Sequence, residues 1–280
     1  MDELAEYNRQ RWDELSREGV VFGRPWFDLT LEDARKRVDP EGMLREISGR
    51  NVLLLAGGGG QQSAAFGLLG AQVTVLDFSA NQLAADQQAA DHYGLHPTLV
   101  QGDMRDLSCF SDSSFDLVWH AHSIGFIPDP RPVFRGVARV LRAGGLYRLS
   151  CGNPFTSGVD DQSWTGEGYL VRGAYRDGAE IAPLPWEIWG ENDTPKRVKG
   201  PREFAHALAT LVNVPIQLGF TLLGAWEDGV GDANDRPGSW GHFTAVCPPY
   251  LVFWWQLGKP GALPKSVLWQ GDLYNSPLWA

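Results

Sequence analysis

The stretch VLLLAGGGGQQS, residues 52–63, constrains the fold more than any other part of the chain. A short apolar run from Val52 to Ala56 enters four consecutive glycines, Gly57 to Gly60, and a helix-like segment follows at once. Glycines at a strand-to-helix turn let the backbone approach a ligand closely, because no Cβ stands in the way. Asp77 closes the next apolar run, VTVLDFS, 20 residues after Gly57. The pair reads as a nucleotide-like cofactor site and leaves the cofactor and the substrate open.

A regular alternation surrounds this turn. Strands are expected at 51–56, 72–77, 97–101, 114–120 and 146–151, with helices between them. Ser79 opens S-x-x-Q with Gln82, a capping-box pattern, and Gly94 can stop the helix that follows. Pro130 and Pro132 fit only the first turn of a helix over 130–142, which the Gly144-Gly145 pair ends. The strands are apolar on both faces, as buried parallel strands are. The fold class is therefore α/β, a doubly wound, Rossmann-like, mostly parallel sheet.

After residue 151 the character changes. Residues 152–200 are rich in Gly, Pro, Trp and acidic residues and read as an insertion covering the ligand crevice. A helix is expected over 201–218, bent or broken at Pro215, then strands at 220–228 and 241–247. A short loop between those two strands makes the last pair antiparallel. The domain organisation expected is a helical lead-in at 1–50, the cofactor-binding half at 51–151, the insertion at 152–200, the end of the domain at 201–248 and a Trp/Pro-rich tail at 249–280. Nine of the twelve tryptophans follow residue 151, so the second half reads as the specialised part.

With 280 residues, 43% hydrophobic and 21% charged, the chain can bury a sizeable core. A net charge of −10 argues against a nucleic-acid partner, which needs a basic face. The short basic cluster Lys196, Arg197, Lys199 and Arg202 reads as a solvated face. Cys109, Cys151 and Cys247 form no metal or redox pattern, and no apolar run reaches the length of a transmembrane helix. A cytoplasmic protein with free thiols and no metal is the expectation.

A dinucleotide fingerprint needs a third small residue in G-x-G-x-x-G. Gln62 stands there in the Gly57 register and Ser63 in the Gly58 register, which moves the reading away from NAD or FAD. After the third strand comes VQGDMRD, with Gly102 and Asp103, and after the fourth comes WHAHS, 119–123. With Asp77 these lie at the carboxyl ends of the strands, where open α/β sheets bind ligands.

On LLLAGGGGQQ, VTVLDFS, VQGDMRDL, FDLVWHAHSIGFIPD and VLRAGGLYRLS, the chain resembles the class I S-adenosylmethionine-dependent methyltransferases. The likeness is to their small-molecule group akin to the ubiquinone/menaquinone methyltransferases. It covers about residues 50–151, and 220–247 more loosely. It implies a seven-stranded sheet of order 3-2-1-4-5-7-6 with the last strand antiparallel, a leading helix folded over the cofactor as a lid, and S-adenosyl-L-methionine as cofactor.

The resemblance also implies site residues. Ala56, Gly57, Gly58 and Gly59 would lie under the methionine part, with amides at the start of the next helix favouring its carboxylate. Asp77 would accept from both ribose hydroxyls. Phe78, Ser79 and Gln82 would adjoin the nucleoside. Gly102, Asp103 and Met104 would frame the adenine, with Asp103 accepting from its amino group. His120 and Ala121 would stand beside the sulfonium. Gln62 either bonds the cofactor's carboxylate or caps the helix, and Tyr7 is the lid candidate on a first helix that also carries Arg11 and Trp12.

His120, His122 and His206 are the candidate general bases, with pocket-edge polar groups as the alternative. Alternation by two would point His120 and His122 the same way. Trp164, Trp186, Trp189, Trp240, Trp254 and Trp255 suggest an apolar-aromatic acceptor pocket, or else packing. The run from Tyr250 to Trp255 reads as a strand extension, a homodimer seam or a membrane-touching patch. The partner expected is a small-molecule methyl acceptor. An NAD(P)-dependent oxidoreductase, or a non-catalytic module keeping the fold, are the rival readings.

Overall fold

The structure is a computed structural model and describes residues 2–182, 185–189, 195–229 and 231–258. In chain order it contains α1 (Glu3–Arg17), α2 (Leu31–Val38), β1 (Asn51–Leu55), α3 (Gln62–Leu68), β2 (Gln72–Asp77), α4 (Ala80–Tyr93), β3 (Thr98–Gln101), β4 (Phe115–Ala121), α5 (Arg131–Val140) and β5 (Leu141–Gly152). Then come β6 (Pro185–Trp189), β7 (Pro195–Lys199), α6 (Leu208–Gln217), β8 (Phe220–Asp228), α7 (Trp240–Val246) and β9 (Tyr250–Leu257).

Seven strands form one sheet in the order β3-β2-β1-β4-β5-β9-β8. β1 to β5 pair in parallel, while β9 runs antiparallel to both β5 and β8. The expected architecture and strand order hold.

The last strand, however, is not 241–247. That segment is the helix α7, capped by Ser239, which accepts a hydrogen bond from the His242 N–H. The seventh strand is β9, drawn from what the sequence reads as tail, so the sheet runs on to Leu257. Trp254 and Trp255 are fully buried, one on each face of the sheet, which removes them from any pocket cover, dimer seam or membrane patch. Residues 259–280 of the tail lie outside the described residues.

Alternation along the strands builds two cores. Leu53, Leu55, Val118, Tyr147, Phe253 and Trp255 face α5 and α6. Val52, Leu54, Leu117, Trp119, Val252 and Trp254 face α2, α3 and α4. On the second face the Arg148 guanidinium lies 3.9 Å above the Trp119 ring and 3.0 Å from the Glu41 carboxylate, to which the Trp254 indole N–H also donates.

Three further differences have local causes. β5 starts at Leu141, directly after α5, because Gly144 in a left-handed conformation (φ +84°) turns the chain within the strand instead of ending a helix. Residues 201–207 are not helical. They run beside the loop after β4, with Phe204 N–H donating to Gly125 O, and Pro215 sits inside α6 without breaking it. Within the insertion, β6 and β7 form an antiparallel hairpin.

Candidate functional site

The glycine turn follows β1 and lies against α4. Ala56 opens it at φ +45°, and Gly59 and Gly60 have φ of +120° and +74°, a region that favours glycine. Gly57 and Gly58 stay partly open, whereas Gly59 and Gly60 are buried. A Cβ at Gly58 would come 2.7 Å from Gln82 Cβ and 3.1 Å from Asp77 Oδ2, so only glycine lets the backbone pass so close to the end of β2.

Two carboxylates hold this turn. Asp77 accepts from the Gly58 N–H through Oδ2 at 3.1 Å and from the Ser79 N–H through Oδ1 at 2.8 Å. Each oxygen retains accepting capacity. Asp86, from the interior of α4, accepts from the N–H groups of Gly59 and Gly60, both at 3.0 Å, and from the Ser63 hydroxyl at 2.5 Å. Burial pushes Asp77 up to about 6 and Asp86 up to about 7, against the lowering effect of these hydrogen bonds. Sequence reasoning missed Asp86. The amides it takes are those of Gly59 and Gly60, in the turn ahead of α3.

The two glutamines are now distinct. Gln61 donates to the carbonyls of Val21 and Arg24, tying the segment after α1 onto the turn. Gln62, one residue on, is half-buried in the first turn of α3. Gln82 does not complete a capping box. Ser79 Oγ accepts from its N–H, but the buried Gln82 amide has no hydrogen-bond partner among the described residues and sits between Gly23 and Gly59.

α1 crosses the carboxyl ends of the strands. Asp13 accepts from the Ser79 hydroxyl at 2.6 Å, Arg105 in the loop after β3 donates to Asp2, and the Asn8 amide donates to Phe126 O and Arg202 O. Tyr7 lies half-buried on this helix, with Arg11 and Lys199 over its ring. Gly102 N–H donates to Asp77 O, Met104 is buried, and Phe78 is half-buried beside them. Asp103 is not a free acceptor, since both its oxygens take hydrogen bonds from the Arg105 guanidinium.

The histidines separate. His120, fully buried, shares the face of Tyr147, and its Nδ1 is hydrogen-bonded to the Tyr147 hydroxyl at 3.0 Å. Burial lowers it to about 3, so it is neutral near pH 7. His122 does not point the same way. Its φ of +55° ends the strand alternation after Ala121, and its exposed ring packs on Tyr250, on the opposite face. His206 precedes α6 and is buried, with Nε2 3.0 Å from Ile124 O. A carbonyl only accepts, so Nε2 carries the proton. Burial lowers His206 too, leaving Nδ1 a bare, buried acceptor without a partner among the described residues.

Of the proposed aromatic cover, Trp186 packs edge-on against Trp12 and Phe22, and Trp12 against Phe126, which follows β4. Trp164 and Trp240 belong to a second cluster with Tyr169, His242 and Phe243. The Trp189 side chain lies outside what is described.

Residues 53–149 match the family described as a methyltransferase domain. The chain is 31% identical over 250 residues to the uncharacterized methyltransferase YbaJ of Bacillus subtilis, covering 84% of this chain and 95% of that one. It is 34% identical over 119 residues to a ubiquinone biosynthesis O-methyltransferase of Xanthomonas oryzae, where the match spans 41% of this chain and 48% of that enzyme. Among solved structures, an S-adenosylmethionine-dependent methyltransferase from Clostridium acetobutylicum superposes with a TM-score of 0.56 at 16% identity, covering 89% and 96% of the two chains. The cyclase SpnF also has a TM-score of 0.56, at 17% identity over 91% and 97%, so the fold alone does not fix the reaction. Sequence kinship over 84% of the chain does: the protein belongs to the class I S-adenosylmethionine-dependent methyltransferases and is an enzyme that takes S-adenosylmethionine as its methyl donor.

Proposed function

We propose that this enzyme methylates a small, hydroxyl-bearing apolar-aromatic metabolite, with the cofactor held along the carboxyl ends of β1 to β4. The observation that carries the cofactor's placement is Asp77. Its buried carboxylate has spare accepting capacity on both oxygens above the open Gly57–Gly58 backbone, which suits a vicinal ribose diol. The unpartnered Gln82 amide supplies a donor and an acceptor alongside, with Ser79 at the start of α4. Ala56, Gly57, Gly58 and Gly59 floor the methionine end, and Gln62 faces it from α3. Phe78, Gly102 and Met104 frame the adenine. Asp103 reads the adenine amino group only when Arg105 yields part of its hold. Tyr7 and α1 cover the site as a lid.

When bound, the cofactor supplies an electrophilic methyl carbon, and the protein's task is alignment and exclusion of water. His206 Nδ1, neutral and unpartnered, accepts the proton that an attacking hydroxyl must lose. His120, anchored by Tyr147, and Ala121 shape the end of β4 beside it. The Trp12, Phe126 and Trp186 rings offer aromatic faces to an apolar acceptor. His122 takes no proton in this scheme, because it turns to the other face.

The test is a thermal-shift comparison of S-adenosylhomocysteine with NADH, followed by methyl transfer from labelled cofactor to a panel of phenols and catechols. Stabilisation by S-adenosylhomocysteine alone and label in an O-methyl product are expected, with loss of transfer in His206→Asn. Label found only in peptide or nucleic acid overturns the acceptor class. Stabilisation by NADH instead overturns the cofactor's placement.

A further inference from the structure

Asp86 is the buried acid that the cofactor reading leaves without a role. It is fully buried inside α4, where a carboxylate is rarely found without strong compensation. Its compensation is the glycine turn itself, through the Gly59 and Gly60 amides and the Ser63 hydroxyl. The packing is tight, since a Cβ on Gly60 would come 2.5 Å from the Ala85 carbonyl oxygen, one residue before Asp86. Gly59 N–H is shared with Gln82 O from the same helix. Two fixed N–H donors converge on the carboxyl, and the ionised form satisfies them best. Gly59 and Gly60 are buried by this packing, so the part of the turn open to a ligand is the Gly57–Gly58 backbone.

We propose that Asp86 is a positioning residue for the cofactor: its ionised carboxylate fixes the glycine turn in the shape on which the methionine end lies, and neutralising it loosens the turn and weakens binding. This rests on the placement of the cofactor proposed above. The group is poised to report it. Burial holds Asp86 up at about 7, and the charge of Asp77 adds to the rise. Asp77 in turn feels Asp13 of α1, and no other titratable group acts comparably on Asp86 among the described residues.

The signs of the two effects differ. Binding that needs the ionised form is full above the Asp86 value and falls as pH drops through it. Folding moves the opposite way, because a carboxyl raised in the folded state gains stability as pH falls below that value. Affinity and apo stability therefore diverge on acidification, which a purely structural role for Asp86 does not produce.

Calorimetric titration of S-adenosylhomocysteine tests this at pH values from about 8 to about 6.5, with melting of the apoprotein measured in parallel. In the wild type, affinity is expected to fall by roughly fourfold over that range while apo Tm holds within about 1 °C, because proton uptake by Asp86 offsets the cost of the histidines that burial keeps neutral. Asp86→Asn is expected to bind at least roughly tenfold more weakly and to lose the pH dependence. Ser63→Ala removes a hydrogen bond that lowers Asp86, so its affinity midpoint moves to higher pH. This second variant decides the matter if the first fails to fold. Wild-type affinity and pH profile in Asp86→Asn, or an unmoved midpoint in a Ser63→Ala variant, overturns the inference. Asp77→Ala is the control for the placement: binding lost there but kept in Asp86→Asn sinks the role of Asp86 alone, and binding kept in Asp77→Ala sinks the placement.

Discussion

Arg148 and Glu41 form an ion pair at 3.0 Å with both side chains less than a tenth exposed, joining β5 to the loop after α2. Removing one partner strands the other charge in the core. Glu41→Ala is expected to cost about 3–5 kcal/mol in denaturant unfolding, while a Glu41→Leu, Arg148→Met double variant recovers most of it. A single-variant loss below ~1 kcal/mol would show that water reaches the pair.

Asp77→Ala should weaken S-adenosylhomocysteine binding by about 1.5–3 kcal/mol, the scale of hydrogen bonds to a charged acceptor. Calorimetry measures it directly. Unchanged affinity would take the ribose away from Asp77.

Gln61 holds the segment after α1 through two carbonyls, at 2.9 and 3.0 Å. Gln61→Ala should cost about 1–2 kcal/mol and speed chymotryptic cleavage after the exposed Phe22, since each bond contributes on the order of 1 kcal/mol. Cleavage at the wild-type rate would mean that other contacts hold the segment.

Net stability should stay nearly flat between about pH 8 and pH 6.5, because a gain of roughly 1 kcal/mol from buried carboxyls meets a loss of similar size from buried histidines. Asp86 at about 7 and Asp77 at about 6 take up protons in the folded state, which stabilises it as pH falls. Over the same range the unfolded chain begins to protonate His120 and His206, which burial keeps neutral in the fold, and this offsets the gain. Urea unfolding across this range checks the balance, and Asp86→Asn should turn the flat profile into a loss of stability on acidification.

The first half of this fold was legible because its strands are apolar on both faces and its turns carry glycine or proline at positions that need them. Gly94 ends α4 at φ +66°, and Pro132 lies in the first turn of α5. The second half was not. GHFTAVC has strand-like spacing, but Ser239 caps it into a helix, and the Trp-rich run Tyr250 to Trp255 resembled a tail because tryptophan suits a buried strand and an exposed patch alike. Asp86 was hidden by its chemistry, as an acid inside a helix reads as solvent-facing. A signal existed nevertheless: Gln82, Asp86 and Ala89 fall at i, i+4 and i+7, on the face that α4 buries. The opposed directions of His120 and His122 depend on one left-handed residue, which alternation cannot foresee.

Asn8 is synthesised well before its partners, for its side-chain amide bonds Phe126 and Arg202, 118 and 194 positions further along the chain. On a ribosome the leading helix must therefore wait until most of the sheet has emerged before it can dock. Between those moments the carboxyl ends of β1 to β4 stand uncovered, so the nascent chain carries an open crevice through much of its own synthesis, and whatever occupies that crevice early would be there when the helix arrives to close it.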